Sequence, residues 1–365
     1  KYLSDQLPNF ASRRVIRPPS DPKKFPPRHG NNQATSSKRK YVRWGFKGVA
    51  VVMGAILAVA GISAFDLYST LNRDNIVLAT SGDIDLNGPI NFMLVGSDTR
   101  KGQGDEFGEV TSELADVIML LHISEDRKDA AVVSFPRDLL VSVPECPNPD
   151  GDPFPARERQ QINATISSGG VACTHLAVQK LTGLEIPFLA MIDFKGVIEM
   201  SNAVGGVEVM IDKPISDDYS QFYIEAGMHT LKGTQALAFL RTRHGIGDGS
   251  DLARISNQQM FLMALFEKVK GDGILNNPIQ LYSLAGAAAR NMKLSESITD
   301  ISTMVTLAGA LRNVDSSRMV FVQVPSRVLS GADEGRLEPI TEEAKILFDQ
   351  IREDVPVTAT EANTP

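Results

Sequence analysis

The stretch that decides the fold is INFMLVG, residues 90–96, an apolar run of strand length that ends in a glycine. Two more runs of similar length, at residues 117–123 and 130–135, are also rich in apolar side chains. Continuous apolar runs of this kind are typical of strands that are buried on both faces. We therefore predict that these three segments are central strands of a covered sheet.

Strand-length and helix-length segments alternate along the rest of the chain. The pattern predicts strands at 188–192, 207–211 and 318–324, an antiparallel excursion at 213–231, a Pro/Asp/Glu-rich loop at 144–159, and helices at about 170–181, 195–203, 232–240, 251–270, 277–291, 297–312 and 338–353. Such alternation is typical of a layered α/β domain. We predict a three-layer αβα fold with a central mixed sheet in one domain, residues 89–355, followed by an unstructured tail at 356–365.

Residues 48–65 contain no charged side chain, and these eighteen positions just suffice to cross a bilayer core of about 30 Å. Basic residues crowd the N-terminal flank, which indicates a cytoplasmic N-terminus. We predict a transmembrane helix at 48–65, a cytoplasmic tail at 1–47, a stalk at 66–88 and an extracellular domain on a single-pass protein of the cell membrane. A cleaved signal peptide is the alternative, but the long leader favours an uncleaved anchor.

The charge of the chain is unevenly distributed. Residues 1–47 hold twelve Lys and Arg against two Asp, so the total of −7 leaves −17 for the remainder. A basic arm can bind nucleic acid, but the Pro, Ser, Asn and Gln content of this one, and its position before an apolar run, favour a disordered cytoplasmic tail. We therefore expect the membrane as a partner and no nucleic acid.

The chain has two cysteines, Cys146 and Cys173, and both lie in the part predicted to be exported. In an oxidising compartment, two thiols on either side of a Pro/Asp/Gly-rich loop favour a disulfide. A catalytic cysteine would need an activating base, and His175 is close in sequence, but nothing else nearby resembles a thiol enzyme. We predict a structural disulfide.

Polar side chains occur at the ends of the predicted central strands. Asp98 and Arg100 follow the first strand, and Asp116 immediately precedes the second. Open α/β sheets bind ligands at such edges. Two carboxylates at strand ends can hold a hard divalent cation, and magnesium typically uses one or two carboxylates plus substrate phosphates. Turn caps or surface charges are the alternative for each aspartate.

Arg137 and Asp138 follow the third predicted strand, where Pro136 stops further strand pairing. An ion pair across a turn explains both residues when they are considered alone. The presence of a second arginine cluster further along the chain favours a binding role for Arg137.

That second cluster is Arg241, Arg243, Arg254 and Gln258. In an extended Arg-Thr-Arg segment the side chains at i and i+2 share a face, and Arg254 and Gln258 share a face one helical turn apart. Both of the latter lie off the apolar stripe predicted for their helix, formed by Leu252, Ile255, Leu262, Phe266 and Val269. Planar guanidinium forks suit phosphate or pyrophosphate. The cluster therefore predicts an oxyanion-binding cradle, although simple surface exposure explains each residue separately.

Several enzyme classes lose their strongest sequence signatures. The chain lacks GxxxxGK[ST], HExxH and GxSxG motifs, which argues against nucleotide hydrolysis, zinc proteolysis and α/β-hydrolase chemistry. The DGSD run at 248–251 lacks the full calcium-loop pattern, so we interpret it as the segment that leads into a helix. His229 and His244 lack partners at zinc-ligand spacing. The apolar helices at 277–312 are interpreted as core or as the lining of a lipid tunnel, two alternatives that the sequence leaves open.

Seven separated blocks resemble, in order, those of the LytR-CpsA-Psr family, over about residues 89–270. They are GSDTR (96–100), ADVIML (115–120), SFPRD (134–138), INA (162–164) followed by GG, DFKGVIEMSNAVGGVEV (193–209), GMHTLKGTQALAFLRTR (227–243) and DLARISNQQ (251–259). The resemblance implies a membrane-anchored enzyme outside the cell that transfers a glycopolymer from a polyprenyl-pyrophosphate-linked carrier to a peptidoglycan hydroxyl, with magnesium, or alternatively manganese, as cofactor.

The resemblance also implies roles for individual residues. Asp98 and Asp116 match magnesium-associated aspartates, and Arg137 and Arg241 match catalytic pyrophosphate-binding arginines. The further substrate-binding positions are Arg100, Arg243, Arg254 and Gln258. The chain departs from the family at Gln161, where a basic residue often precedes the Ile-Asn block, so this phosphate contact is expected either to be absent or to be supplied by a neighbour such as Arg157 or Arg159. Two other functions remain as alternatives, a polyprenyl pyrophosphatase and a non-catalytic regulator that senses lipid-linked precursors.

Overall fold

The computed structural model describes residue 69 and residues 75–78, 84–99, 113–148, 151–243, 251–360 and 363. These residues all belong to one compact unit, Ile62–Pro365. The predicted cytoplasmic tail and transmembrane segment, most of the stalk, Arg100 and residues 244–250 lie outside the described residues. Within the described ranges, no helix is both long enough and apolar enough to cross a bilayer.

The elements alternate much as the sequence predicts. The strands are β1 (Ile90–Ser97), β2 (Ala115–Ile123), β3 (Ala130–Ser134), β4 (Leu140–Val143), β5 (Arg157–Gln161), β6 (Phe188–Ile192), β7 (Val207–Ile211), β8 (Ile215–Asp217), β9 (Phe222–Ile224), β10 (Gly227–Leu231), β11 (Met292–Leu294), β12 (Met319–Gln323), β13 (Ser326–Val328) and β14 (Leu337–Pro339). The helices are α1 (Thr165–Thr182), α2 (Phe194–Ala203), α3 (Thr234–Arg241), α4 (Asp251–Gly271), α5 (Pro278–Asn291), α6 (Ile301–Asn313) and α7 (Thr341–Arg352).

A six-stranded sheet forms the centre of the domain, in the order β11-β6-β1-β2-β3-β12. The pairs β1–β2, β2–β3 and β6–β11 are antiparallel, and the pairs β1–β6 and β3–β12 are parallel. The predicted central mixed sheet is therefore confirmed. The three apolar runs near the N-terminus of the domain form adjacent strands in its middle.

Alternate side chains of β1 enter two different hydrophobic clusters. Met93 and Val95 pack in a cluster that includes residues of α1 and α7, whereas Phe92 and Leu94 contact a cluster that includes residues of α6. Since successive strand residues point to opposite faces, helices cover both faces of the sheet. This is the αβα layering that the sequence predicts.

The segment from β7 to α4 forms a third cluster. Buried Val207 and Val209 of β7 pack with Phe239 of α3 and Phe261 of α4. The two-stranded sheets β7–β10 and β8–β9 are both antiparallel, which confirms the antiparallel excursion predicted for 213–231. This cluster holds α3 and α4 together, the two helices that carry the second arginine cluster.

The predicted loop at 144–159 is partly wrong. Residues 157–161, RERQQ, form β5 and pair antiparallel with β4. Most of the side chains of β5 are exposed or half-buried, so backbone pairing rather than apolar burial forms this strand. The strands β11, β13 and β14 were also missed, because three residues are too short for a detectable period.

Cys146 and Cys173 form the predicted disulfide, across a sequence separation of 27 residues. The bond joins the segment after β4 to α1, and both residues are buried in the larger core cluster. Gly169 lies against this contact, since an added Cβ would meet Cβ of Cys146 and of Cys173 at 3.0 Å. The disulfide therefore fixes the glycine-containing first turns of α1 against the neighbouring loop.

Removal of this bond should destabilise the domain. Closing a loop of 27 residues lowers the entropy of the unfolded chain by an amount equivalent to about 3.5 kcal/mol. We expect a Cys146→Ser, Cys173→Ser double variant to lose about that much unfolding free energy, measured by urea denaturation. Wild-type protein under reducing conditions is the control and should show the same loss. An unchanged midpoint in both samples would contradict the prediction.

Stability should also fall in mild acid because of buried histidines. Burial lowers the pKa of His175, although the Ile186 carbonyl accepts from its Nε2 at 2.7 Å and partly opposes the shift. Below about pH 6.5 a histidine in the unfolded chain takes up a proton. The unfolded state then binds more protons, so the free energy of unfolding decreases as pH falls. In the His175→Gln variant, the free energy of unfolding should change less between pH 7.5 and 5.5 than in the wild type, as measured by urea denaturation at each pH. Equal pH dependence in the two proteins would contradict the prediction.

Candidate functional site

A cavity of about 420 Å³ lies where the central strands of the sheet end. Because β1 and β2 are antiparallel, the end of β1 and the start of β2 meet there, and Gly96 and Asp116 both line the cavity. The remaining walls come mainly from α2, α3 and α4. The cavity therefore lies where strand ends meet the helices that the third cluster holds together.

The structure brings most of the predicted site residues to this one cavity. Its lining includes Asp116, Arg137, Arg241, Arg243, Arg254 and Gln258. Among the described lining residues there are four arginines and three aspartates, so this wall carries a net charge of +1. Two of the aspartates are engaged by the backbone. Asp193 accepts from the Gly196 amide at 2.7 Å, and Asp217 accepts from several amides of the cavity rim. The wall therefore has the charge and the donors to bind an anion.

Asp116 connects arginines from two distant parts of the chain. Its Oδ1 accepts from Nη1 of Arg137 at 2.8 Å and lies 3.9 Å from Nη1 of Arg254. The backbone carbonyl of Asp116 also accepts from Nη2 of Arg254 at 3.2 Å. Asp116 is the second residue of β2, although the sequence pattern predicts that this strand begins at Val117. A single strand residue thus positions two guanidinium groups.

A second carboxylate, that of Asp138, lies near Nε of Arg137. Oδ2 of Asp138 lies 3.5 Å from Nε of Arg137, and Oδ1 of Asp138 accepts from Nε2 of Gln161 at 2.9 Å. The ion pair that the sequence suggested as an alternative therefore exists, but it coexists with the shorter Asp116 contact. Gln161, which stands where the family often has a basic residue, binds Asp138 and does not line the cavity.

The proposed replacements for that basic residue do not reach the cavity. Arg159 is exposed and pairs with Asp333 at 2.9 Å, and Arg157 donates to Ser168 at 3.0 Å. Neither residue belongs to the lining. The structure therefore favours the other alternative, that this phosphate contact is absent, because Arg157 and Arg159 bind partners outside the cavity.

The backbone around Arg241 also differs from the prediction. Arg241 is the last residue of α3, and Thr242, which follows it, is extended, with φ −63° and ψ 133°. An extended Arg-Thr-Arg segment is therefore wrong for its first residue, but Arg241 and Arg243 still line the same cavity. The Arg241 guanidinium carbon lies 4.6 Å from the centroid of the Phe194 ring, a cation–π contact with the start of α2.

Side-chain amides of α4 join it to the end of α3. Nε2 of Gln258 donates to the Leu240 carbonyl at 3.3 Å, and Nδ2 of Asn257 donates to the Thr242 carbonyl at 3.3 Å. The last carbonyls of a helix have no partner within that helix, so these amides satisfy groups that would otherwise be unpaired. Asn257 was not predicted as a site residue, because its role depends on a backbone group that is remote in sequence.

Asp98 does not line the cavity. Its Oδ1 accepts from the Leu114 amide at 2.7 Å, and its own amide donates to the Leu114 carbonyl at 3.0 Å. Asp98 therefore acts as the turn cap that the sequence gave as an alternative, joining the end of β1 to the start of β2. In the described part of the chain, no group of three or more His, Cys, Asp and Glu side chains could hold a metal ion.

The rest of the cavity wall is mainly apolar. Its main contributors are Phe194, Val197 and Met200 of α2, Leu237 and Leu240 of α3, and Phe261, Leu262 and Leu265 of α4. From the apolar helices and linkers at 277–312, Met292 reaches the cavity. That region contributes little to the cavity: Leu294, Ile298 and Ala310 pack in the second cluster, whereas Ile279 and Val305 are exposed. Leu262, expected within a buried stripe, is a cavity residue. The apolar part of the cavity wall comes instead mainly from α2, α3 and α4.

The fold and the site define a mixed α/β protein with a mainly apolar cavity that is also lined by four arginines. Residues 59–346 match the model of the LytR_cpsA_psr family, so the chain belongs to the LytR-CpsA-Psr family. The resemblance seen at residues 89–270 is confirmed and extends further in both directions.

Individual relatives agree with this assignment. Cell wall biosynthesis protein LcpA of Corynebacterium glutamicum is 28% identical over 271 residues, which cover 67% of this chain and 51% of LcpA. The polyisoprenyl-teichoic acid–peptidoglycan teichoic acid transferase TagT of Bacillus subtilis is 24% identical over 306 residues, 79% of this chain and 88% of TagT. A solved LytR-Csp2A-Psr enzyme from Actinomyces oris shares the fold, with a TM-score of 0.57 at 21% identity over 78% of this chain and 96% of that chain. The chain spans about half the length of LcpA.

Inorganic pyrophosphate should bind at the arginine cluster and raise the melting temperature. Loss of one charge-assisted hydrogen-bonding group costs about 1.5 to 3 kcal/mol, which corresponds to about 10-fold to 100-fold in affinity. We expect Arg241→Ala to weaken binding by this amount in isothermal titration. Arg327→Ala is the matched control, because Arg327 pairs with Glu338 on β14 and is not part of the cavity lining. Equal affinities of the two variants would refute an oxyanion site at this position.

Proposed function

We propose that the chain is a magnesium-dependent phosphotransferase that moves a glycopolymer from a polyprenyl-pyrophosphate carrier to a peptidoglycan hydroxyl. The observation that carries this proposal is the position of Arg137, Arg241, Arg243 and Arg254 on the wall of an otherwise mainly apolar cavity. A substrate that matches both parts has a long hydrocarbon chain joined to a diphosphate. The name of TagT as a polyisoprenyl-teichoic acid–peptidoglycan transferase supports the same chemistry.

The two parts of the cavity have separate tasks in this mechanism. The side chains of α2, α3 and α4 bind the hydrocarbon chain and exclude water from the phosphates. The guanidinium groups bind the diphosphate oxygens and neutralise the charge that develops on the departing lipid phosphate. Asp116 orients Arg137 and Arg254 before substrate arrives, since it contacts both. Catalysis then depends on positioning and electrostatics, with no covalent step on the protein.

In the reaction, the oxygen of an acceptor hydroxyl attacks the phosphorus that carries the glycan. A phosphodiester bond forms, the bond to the lipid phosphate breaks, and the hydroxyl proton is released. Asp116 is the carboxylate that would hold magnesium, because it lines the cavity and magnesium needs only one or two carboxylates together with substrate phosphates, whereas Asp98 caps a turn outside the cavity lining. When bound, the ion would supply additional positive charge to the phosphate oxygens.

The same proposal places the chain at the cell membrane. The uncharged segment 48–65, with its basic N-terminal flank, is the proposed anchor, the N-terminus is cytoplasmic and the domain is extracellular. A lipid-linked substrate is held in the bilayer until its hydrocarbon chain enters the cavity, so an enzyme benefits from being held at the same surface. The acceptor, peptidoglycan, lies on that side.

Arg137→Ala should abolish most of the transfer. Removing one preorganised charge stabiliser costs at least about 3 kcal/mol in the activation free energy, or about 100-fold or more in kcat/KM. The assay combines full-length protein, lipid-pyrophosphate-linked glycan, magnesium and peptidoglycan fragments, and products are identified by mass. The control Arg327→Ala should retain wild-type turnover, because its side chain pairs with Glu338 away from the cavity.

The products separate this proposal from its alternatives. Transfer gives a glycan joined to peptidoglycan through phosphate, whereas a pyrophosphatase gives free glycan phosphate with or without acceptor. A regulator binds the lipid but gives neither product.

Chelation of divalent ions should stop the transfer, and activity that persists in chelator would refute the proposed magnesium dependence.

A further inference from the structure

Tyr219 differs from most cavity residues because it lines the cavity and is also exposed to solvent. The residue belongs to the cavity lining, yet it is 81% exposed. Of the described lining residues, Arg241 is the other exposed one. Tyr219 and Arg241 therefore mark the mouth of the cavity, where it meets solvent, while Arg254 and Gln258 lie buried further inside.

The segment that carries Tyr219 is fixed to the arginine-bearing segment. The buried carboxylate of Asp217 accepts from the amides of Tyr219 at 2.9 Å and Ser220 at 3.2 Å through Oδ1, and from the amide of Arg243 at 3.0 Å through Oδ2. The hydroxyls of Ser220 and Thr242 lie 2.7 Å apart and form a further link. The backbone position of Tyr219 is thus set relative to Arg243 by four hydrogen bonds.

This position determines which part of the substrate Tyr219 would meet. In the proposed function the hydrocarbon chain fills the apolar cavity and the diphosphate binds the arginines. The glycan is attached to the other side of the diphosphate, so its first sugars must leave through the mouth of the cavity. A tyrosine ring offers a large, rigid apolar face with a negative quadrupole and a polar hydroxyl. The C–H groups on one face of a pyranose ring complement such a surface.

We propose that Tyr219 is a specificity-determining residue that stacks against the first sugars of the carrier-linked glycan. The inference rests on the proposed function, because it assumes that the arginines bind the diphosphate. It adds a carbohydrate subsite at the mouth, formed by Tyr219 and aligned with the arginines through Asp217. The ligand of this subsite is a pyranose attached to a lipid diphosphate.

The hairpin β8–β9 provides a matched control. Tyr223 of β9 is also largely exposed, at 58%, but it does not line the cavity, and its hydroxyl donates to Oδ1 of Asp218 at 2.7 Å. Tyr219→Ala and Tyr223→Ala therefore remove the same side chain from the same exposed hairpin. Tyr219→Phe keeps the ring and removes the hydroxyl, which separates stacking from hydrogen bonding.

The test measures the affinity of full-length protein, in detergent, for two probes without any acceptor. One probe is polyprenyl pyrophosphate carrying an N-acetylhexosamine disaccharide, and the other is the same lipid pyrophosphate without sugar. We expect Tyr219→Ala to weaken binding of the sugar-bearing probe about fivefold and to leave the sugar-free probe unchanged. Tyr219→Phe should retain most of the wild-type affinity, and Tyr223→Ala should bind both probes like wild type.

Two results would overturn the proposal. Equal weakening of both probes by Tyr219→Ala would mean that the ring contacts the lipid or the diphosphate, and unchanged binding of both probes would mean that it contacts no part of the substrate. Either result leaves the proposed transfer reaction intact. Conversely, a wild-type protein that prefers the sugar-bearing probe but forms no product with peptidoglycan fragments would refute the transfer reaction and support the sugar subsite.

Discussion

A single carboxylate, that of Asp116, lies between two guanidinium groups in a cavity that is otherwise mainly apolar. Arg254 is only 7% exposed, so its charge needs a nearby counter-ion. Removing one partner from a buried ion pair costs about 3 to 5 kcal/mol, because the remaining charge is then uncompensated. Asp116 satisfies this requirement for Arg254 and simultaneously orients Arg137. Asp138 also pairs with Arg137 but lies outside the cavity lining, and the lining itself has four arginines against three aspartates, an excess of positive charge that suits an anionic ligand.

The other arginines depend on how two helices meet. Helix α3 ends at Arg241, and amide side chains from α4 bind the carbonyls of Leu240 and Thr242 near that end. Arg254 lies on the first turns of the same helix α4. The contacts that satisfy the end of one helix therefore also set the distance between arginines that are more than ten residues apart. Packing of Phe239 against Phe261, with ring centroids 6.4 Å apart, supports this junction from the core.

The sequence contained enough information for the central sheet and for most of the cavity. The apolar runs that became β1, β2 and β3 are long and strongly patterned, and the arginines stand in blocks that resemble a known family. Features that depend on remote backbone groups were not predictable. The run PISDDYS does not distinguish Asp217 from Asp218, yet the first is buried and binds three amides while the second is exposed. Likewise, RERQQ lacks the apolar alternation of a strand and forms one through backbone pairing with β4.

The contact between Asp98 and Leu114 has a consequence for how this architecture tolerates change. Backbone and side-chain hydrogen bonds join the two residues in both directions, at the point where the chain leaves β1 and returns to β2. Asp116 follows two positions later, so its place in the sheet is set by this closure and by the pairing of β1 with β2. We therefore expect that a change in chain length between Asp98 and Leu114 leaves the position of Asp116, and of the arginines that it contacts, unchanged.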